Sequence, residues 1–444
     1  MSRSLAEVVS GFKRNWTKVI GREEIEEVCK RIGFSWRERI LGPAETIQLL
    51  LLQVLHGNTA ISHLRMFTER GFSASAYCQA RSRLPLELLQ TLLERMSLEL
   101  RRAKTTTERW LGRQVYFVDG SNFSMPDTAV LQEHFGHPTG QKEGCGFPGA
   151  HFVALFHAGT GMVVRVLSGA LFSNDLARFI KLHPTLRKGD VIVGDRGFSS
   201  YAHLALMVRR GVDAVFRVNQ AQIISFRAGR PYSTSKNTKK IPRSRWERKL
   251  GIQDQLVTWF KATTRQPAWM NENQFRLITP TLLLRELAYS VQTRGFRTRR
   301  VVLVTTLLDP QAFPAEALAE LYGQRWSAET NFKHLKTTLG MDILHCKTIE
   351  GVLKEFYAFC LVYNLVRTAM LHAGAQLGSA HHRISFLDAV RWLIAACYRT
   401  MFVPLLIVPK RPLRQEPRLR KRRPKQYGLL MKPRYLFTPS ALRA

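Results

Sequence analysis

The sequence predicts an α/β fold flanked by helical regions, and three observations carry that prediction. Short apolar strands alternate with amphipathic helices between residues 115 and 218, helical periodicity dominates before and after, and a basic strand-rich segment interrupts the pattern ahead of a long helix near Pro314. At 444 residues and 45% apolar composition, the chain is long enough for two or three domains with real cores.

The first hundred residues read as helix. Apolar side chains recur at three- and four-residue steps over Glu23 to Ile32, Ala44 to His56 and Leu86 to Arg102, with Gly57, Gly71 and Pro85 as breaks. At one helix junction, the run from Ala80 to Pro85 adds Arg81 and Arg83, either as a solvated face or as a contact to DNA backbone. From Val115 the texture turns to strands: Val115 to Val118, His151 to His157, and Met162 to Leu167 after a Gly-Thr-Gly turn. Asn174 and Asp175 can cap a helix to Lys181, Val191 to Gly194 is a short apolar strand, and a helix from Ser199 stops at Gly211 before a strand over Val212 to Val218.

Between Gln220 and about Arg300 the chain is rich in Arg and Lys and offers strand-like stretches at Leu256 to Lys261 and Phe275 to Thr279. An inserted basic, β-rich subdomain accounts for it. Val301 to Leu308 returns as a core strand, and helix follows from Pro314 and again beyond Met341 to about Val408. The predicted organisation is a helical N-terminal region over 1–110, an α/β domain split between 111–219 and 301–345, the insertion over 220–300, a helical region over 346–408 and a basic tail over 409–444.

Charge narrows the partner. The chain carries 67 Lys and Arg against 33 Asp and Glu, a formal net charge of +34, so a polyanion is the natural partner. The apolar stretches at Thr46 to Leu55, Phe356 to Leu371 and Phe402 to Val408 are too short or too interrupted to span a bilayer, so no membrane association is expected. The N-terminus does not read as a secretory signal, so the protein is expected to stay in the cytoplasm. Six scattered cysteines without a Cys-x-x-Cys pair suggest free thiols rather than a zinc module or disulfides.

Three acidic residues are candidates for chemistry. Asp119 and Asp195 each follow an apolar strand directly, a rigid and accessible position that suits metal ligands, although Asp also commonly ends strands for purely local reasons. Glu329 lies in the stretch Leu321 to Lys336. Regular helical geometry there puts Tyr322, Arg325, Glu329, Lys333 and Lys336 within an arc of roughly 80°. The stripe is either a functional face or an ordinary solvated one with a Glu329–Lys333 pair.

The ordered blocks decide between these. Tyr322, Arg325, Glu329 and Lys336 fit a Y-x2-R-x3-E-x6-K signature. Together with Asp119-Gly120-Ser121, Met125 to Thr128, Gly146-Phe147-Pro148, Asp195 to Phe198 with Tyr201, Thr306 to Asp309 and Tyr363 to Arg367, they make the chain resemble the insertion-sequence-four family of bacterial DDE transposases from about Ser73 to Arg367. The resemblance implies a ribonuclease H-like catalytic domain interrupted by a β-rich insertion, with Asp119, Asp195 and Glu329 binding two Mg2+ ions, for which Mn2+ can substitute. It also implies that Tyr322, Arg325 and Lys336 grip the backbone of the transposon end, with Lys333 and Arg217 as further phosphate contacts.

The implied activity is cut-and-paste DNA transposition, with in-line cleavage at the element's end followed by attack of the released 3′-hydroxyl on the opposite strand or on target DNA. The implied partners are double-stranded DNA, at transposon ends and target, and a second copy of the chain in a homodimer on paired ends. Such a protein would be associated with the bacterial nucleoid. Trp326 either stacks on DNA or packs against the insertion, with packing the expected placement. A domesticated transposase acting as a DNA-binding regulator, and a ribonuclease H-like nuclease that cleaves without joining, are the alternatives.

Overall fold

The computed structural model describes residues 20–67, 71–102, 109–138, 147–172, 175–234, 241–262, 266–291 and 299–396. The expected basic tail, and with it Cys397, as well as Cys145, Gly146, Asn174, Lys236, Lys239 and Lys240, lie outside them.

The N-terminal helices are α1 (Arg22–Arg31), α2 (Pro43–Leu55), α3 (Ile61–Leu64), α4 (Ala74–Arg83) and α5 (Leu86–Arg102). Their ends follow local rules. Glu23 and Glu24 open α1 while Lys30 and Arg31 close it, in keeping with the helix dipole. Pro43 occupies the first turn of α2, and Ser73 caps α4 by accepting from the Ala76 amide at 3.1 Å.

The chain then builds one nine-stranded sheet in the order β3-β2-β1-β4-β5-β9-β8-β7-β6. Its strands are β1 (Val115–Ser124), β2 (Gly149–His157), β3 (Val163–Ala170), β4 (Val191–Gly194), β5 (Asp213–Arg217), β6 (Arg245–Gly251), β7 (Asp254–Phe260), β8 (Thr281–Val291) and β9 (Arg299–Thr305). The pairs β1–β4 and β4–β5 are parallel, and all the others are antiparallel. The intervening helices are α6 (Ala129–Phe135), α7 (Asp175–Leu182), α8 (Tyr201–Arg210) and the short α9 (Glu272–Arg276). After the sheet come α10 (Ala315–Gln324), α11 (Trp326–Lys333), a π turn at His334–Thr338, α12 (Ile349–Gln376) and α13 (Phe386–Ala396).

Alternation along the strands divides the core in two. Val118, Ile192 and Phe216 face α7 and α8 through Phe179, Leu204 and Met207. Phe117, Val193 and Leu303 face the other way, into a cluster that includes Leu318 and Leu321 of α10, Phe356 and Val362 of α12, and Ile47 and Leu89 of the N-terminal helices. The N-terminal helices therefore share the core that backs the sheet. Arg81, read as a candidate DNA contact, is turned inward: its Nη1 donates to Gln53 Oε1 at 3.1 Å and its Nη2 to Cys346 Sγ at 3.3 Å. Arg83 is exposed.

Several expectations need correction. β1 does not stop before Asp119 but runs on to Ser124, because its pairing with β2 outlasts its pairing with β4. The strands between 245 and 291 do not form a sheet of their own; they extend the host sheet through β8 on β9. Phe275 to Thr279 is not a strand, because Asn271 caps a helix there with a reciprocal bond to Gln274.

Strand β8 escapes a period-two reading because consecutive residues Arg285 and Glu286 are both buried. Arg285 is paired with Asp254, and Glu286 accepts from Trp259 and Gln255. Cys29 and Cys360 are buried free thiols, Cys346 is half-buried and Cys78 is exposed. Among the described residues no helix is long and apolar enough to cross a membrane.

Candidate active site

The site begins with a register. Val118 and Gly194 are partners across the parallel β1–β4 pair, and each strand carries its aspartate as the next residue. Asp119 shares the face of Val115 and Phe117, the side on which α10 packs. The close approach of these strands depends on Gly194, since a Cβ there would stand 2.8 Å from Val118 Cγ1 and 3.0 Å from Phe216 Cε1. Both aspartates are fixed by the amide that follows them: Gly120 N–H donates to Asp119 Oδ1 at 2.9 Å and Arg196 N–H to Asp195 Oδ1 at 2.7 Å.

Helices α10 and α11 supply the facing groups. Tyr322 Oη donates to Asp195 Oδ1 at 3.4 Å. Arg325, at the joint between the helices, places Nη1 3.5 Å from Asp119 Oδ2 and Nη2 3.7 Å from Glu329 Oε1. Tyr322 and Arg325 are buried, whereas the Glu329 side chain is 44% exposed, so the cleft opens to solvent on the Glu329 side. Asp119, Asp195, Tyr322, Arg325 and Glu329 are thus brought together from segments distant in sequence.

The electrostatics record that closeness. Burial raises the Asp119 carboxyl to about 6. The Gly120 amide and Arg325 oppose the rise, and Glu329 and Asp195 add to it. Burial also lifts the Tyr322 phenol to about 12 against the pull of Arg325 and Arg217, so at neutral pH it is a donor. Arg217 ends β5, half-buried, and acts on Tyr322 by its charge.

The signature segment is not one regular helix. Arg325 N–H donates to Tyr322 O at 3.1 Å and Ala328 N–H to Arg325 O at 2.9 Å, a tight three-residue step, and a wide π turn follows at His334–Thr338. The tight step advances the helical phase and the wide turn sets it back. Lys336 ends against β1, with Nζ 3.2 Å from Asn122 Oδ1 and 3.3 Å from Asp342 Oδ1, while Lys333 is exposed. Asn122 and Asp342, which hold the candidate Lys336, are contacts that the sequence reading missed. The available signal was the polar run Asp119 to Asn122 inside an otherwise apolar strand.

Trp326 is 48% exposed, so the expectation that it packs in the core is wrong; the helix turns it outward beside Arg325. Of the insertion tryptophans, Trp259 is buried and donates to Glu286 Oε1 at 2.8 Å, Trp269 stacks on His203 at 4.4 Å, and Trp246 is half-buried in the edge strand β6.

A divalent cation suits the donor set here, because Asp119, Asp195 and Glu329 offer only hard oxygen ligands and the charges of Glu329 and Asp195 raise the proton affinity of Asp119. Their placement is looser than a finished cage. Among the described residues no group of three or more His, Cys, Asp and Glu side chains could hold an ion as placed, and the Arg325 guanidinium lies between Asp119 and Glu329.

Fold and cleft define a two-carboxylate strand pair faced by a glutamate-bearing helix, and sequence comparison gives that class its family. A family model described as Transposase DDE domain matches residues 110–365, more than half of the chain, and the chain belongs to that family. This is the family that the ordered sequence blocks resemble. Transposase InsG for insertion sequence element IS4, of Escherichia coli (strain K12), is 24% identical over 322 residues, which cover 71% of this chain and 65% of that protein. The chain therefore matches less than two thirds of that relative's length. Among solved structures, the cryo-EM structure of the piggyBac transposase synaptic complex with hairpin DNA is similar at a TM-score of 0.42 and 11% identity, covering 86% of this chain and 78% of the other.

Proposed function

We propose that the protein is a DNA transposase that cleaves transposon ends and joins them to target DNA, with a ribonuclease H-like domain as its catalytic unit. The single observation that carries this reading is the convergence of Asp119 in β1 and Asp195 just past the adjacent parallel strand β4, with Glu329 across one cleft, inside a chain of the DDE family. In this reading Asp119, Asp195 and Glu329 would hold two divalent cations, Mg2+ or in its place Mn2+. When bound, these would supply charge neutralisation for in-line phosphoryl transfer.

The chain's own groups divide the remaining work. Tyr322 holds Asp195 by its phenol proton, and the Gly120 and Arg196 amides hold the aspartate rotamers. Arg325 lies beside the carboxylates, and in this reading it would contact phosphate oxygens of double-stranded DNA together with Lys333, Lys336 and Arg217. The formal charge of +34 supports a nucleic-acid partner. A homodimer on paired ends fits a reaction that joins two ends, and residues 220–300 would act as the insertion of this domain and 1–110 as a DNA-binding region.

The test is cleavage of end-bearing duplex with Mg2+ by Asp119→Ala, Asp195→Ala and Glu329→Ala. Each should lose cleavage while keeping salt-sensitive DNA binding; normal cleavage by all three rejects the assignment. Cleaved ends that never appear joined to target DNA would favour a nuclease without joining activity, and salt-sensitive binding by the native chain with no metal-dependent cleavage would favour a regulator.

A further inference from the structure

One cation is shared between two acids at the centre of the cleft. Arg325 Nη1 stands 3.5 Å from Asp119 Oδ2 and Nη2 3.7 Å from Glu329 Oε1, and its Nε is buried without an acceptor. A guanidinium locked on a single carboxylate makes two parallel contacts of about 2.7–2.9 Å. This one instead spreads its charge over both acids at longer range while bonded to the Tyr322 phenol, so no carboxylate holds it in a closed pair. Its field reaches Asp195 as well. Without such a charge the cleft would hold three mutually repelling carboxylates behind a buried wall.

We propose that Arg325 is a movable counter-ion, which neutralises Asp119 and Glu329 in the free protein and releases them to divalent cations when a DNA phosphate draws the guanidinium away. This rests on the metal-dependent reading of the site given above. In its present place the guanidinium competes with a cation twice, by occupying ligand oxygens and by repelling positive charge. A phosphodiester presents the paired oxygens that a guanidinium fits best, and the buried, unaccepted Nε marks donor capacity unused in the free protein. Linkage then makes the effect reciprocal: DNA tightens metal binding, and metal tightens DNA binding. Metal loading in the absence of DNA is thereby held down.

Mn2+ binding to the full chain, read from loss of the free-ion paramagnetic resonance signal, tests this without turnover. Arg325→Gln should bind Mn2+ about tenfold more tightly than the native protein with no DNA present, and Arg325→Lys should fall between them. Adding a short duplex should tighten Mn2+ binding by the native chain and change Arg325→Gln little, after subtraction of ions held by DNA itself, measured with the Asp119→Asn/Glu329→Gln double variant. Equal or weaker Mn2+ binding by a folded Arg325→Gln overturns the inference. Should neither Arg325 variant fold, the native chain decides, and no gain in affinity on adding duplex overturns it. If the double carboxylate variant binds Mn2+ as well as the native chain does, the metal site itself is wrong and both readings fall; if it does not, failure of the arginine variants removes this inference alone.

Discussion

Val118 and Gly194 are register partners in the parallel pair of β1 and β4, and the residue after each is an acid of the cleft. The glycine makes the relationship possible, because any side chain at 194 would meet Val118 and Phe216 inside van der Waals distance. Gly194→Ala should therefore cost about 1–3 kcal/mol of stability by overpacking. Chemical denaturation should show a lower midpoint with an unchanged slope, and an unaltered midpoint would mean that the two strands yield freely.

Tyr322 is the one phenol bonded to a catalytic candidate among the described hydrogen bonds. Tyr322→Phe removes a donor to Asp195 while keeping the ring that packs in the core. Loss of a hydrogen bond to a charged group predicts roughly tenfold slower single-turnover cleavage. Thermal stability should remain near that of the native chain, and an unchanged rate would make the phenol a packing group only.

The Tyr363 to Arg367 block acts on structure rather than chemistry. Asn364, fully buried in α12, accepts from Val163 N–H at 2.9 Å and donates to Val163 O at 2.8 Å, while Tyr363 Oη donates to Gly161 O at 2.7 Å. These bonds staple the edge hairpin β2–β3 onto the long helix, and Arg367 adds a bond to Asn331 of α11. Asn364→Ala leaves a buried amide and a buried carbonyl unmatched, so a loss of about 3 kcal/mol is expected in equilibrium unfolding. A loss within experimental error would show that water replaces the staple.

Acid should weaken the fold through a buried histidine pair. His203 Nδ1 and His183 Nε2 lie 3.0 Å apart, and Trp269 stacks on His203. Burial lowers His183 to about 3, helped by Arg210, and burial together with His183 lowers His203. Both lie below their ordinary value near 6.5, so the unfolded chain takes up protons that the folded one refuses. The stability is complete above about pH 6.5 and drains as pH falls toward 3, with His183 alone costing about 2 kcal/mol at pH 5. Melting temperature should drop between pH 7 and 5, and His183→Gln/His203→Gln should flatten that slope; an equally steep slope in the double variant would assign it elsewhere.

Two acids of the cleft were legible in the sequence because Asp119 and Asp195 follow the apolar runs Val115 to Val118 and Val191 to Gly194, whose strand character is local, whereas Glu329 stood out only through the resemblance. The C-terminal end of α8 was equally readable, since Gly211 ends it in a left-handed conformation, whereas its start lies two residues beyond the expected Ser199 because Ser200 is the cap. What escaped depended on tertiary pairing. The length of β1 is set by β2, the burial of Arg285 by Asp254, and the phase of Lys336 by a tight step at Arg325 and a π turn that no periodicity of 3.6 anticipates.

A divalent-cation site shared by Asp119, Asp195 and Glu329 can be read from the polypeptide itself. Fe2+ substituted for Mg2+ generates hydroxyl radicals wherever it binds, and these cut the nearby polypeptide. With ascorbate and peroxide, cuts should cluster at residues around 119, 195 and 329, be suppressed by excess Mg2+ and be absent in Asp119→Asn. Cuts confined to other segments, or cuts near only one of the three acids, would contradict it.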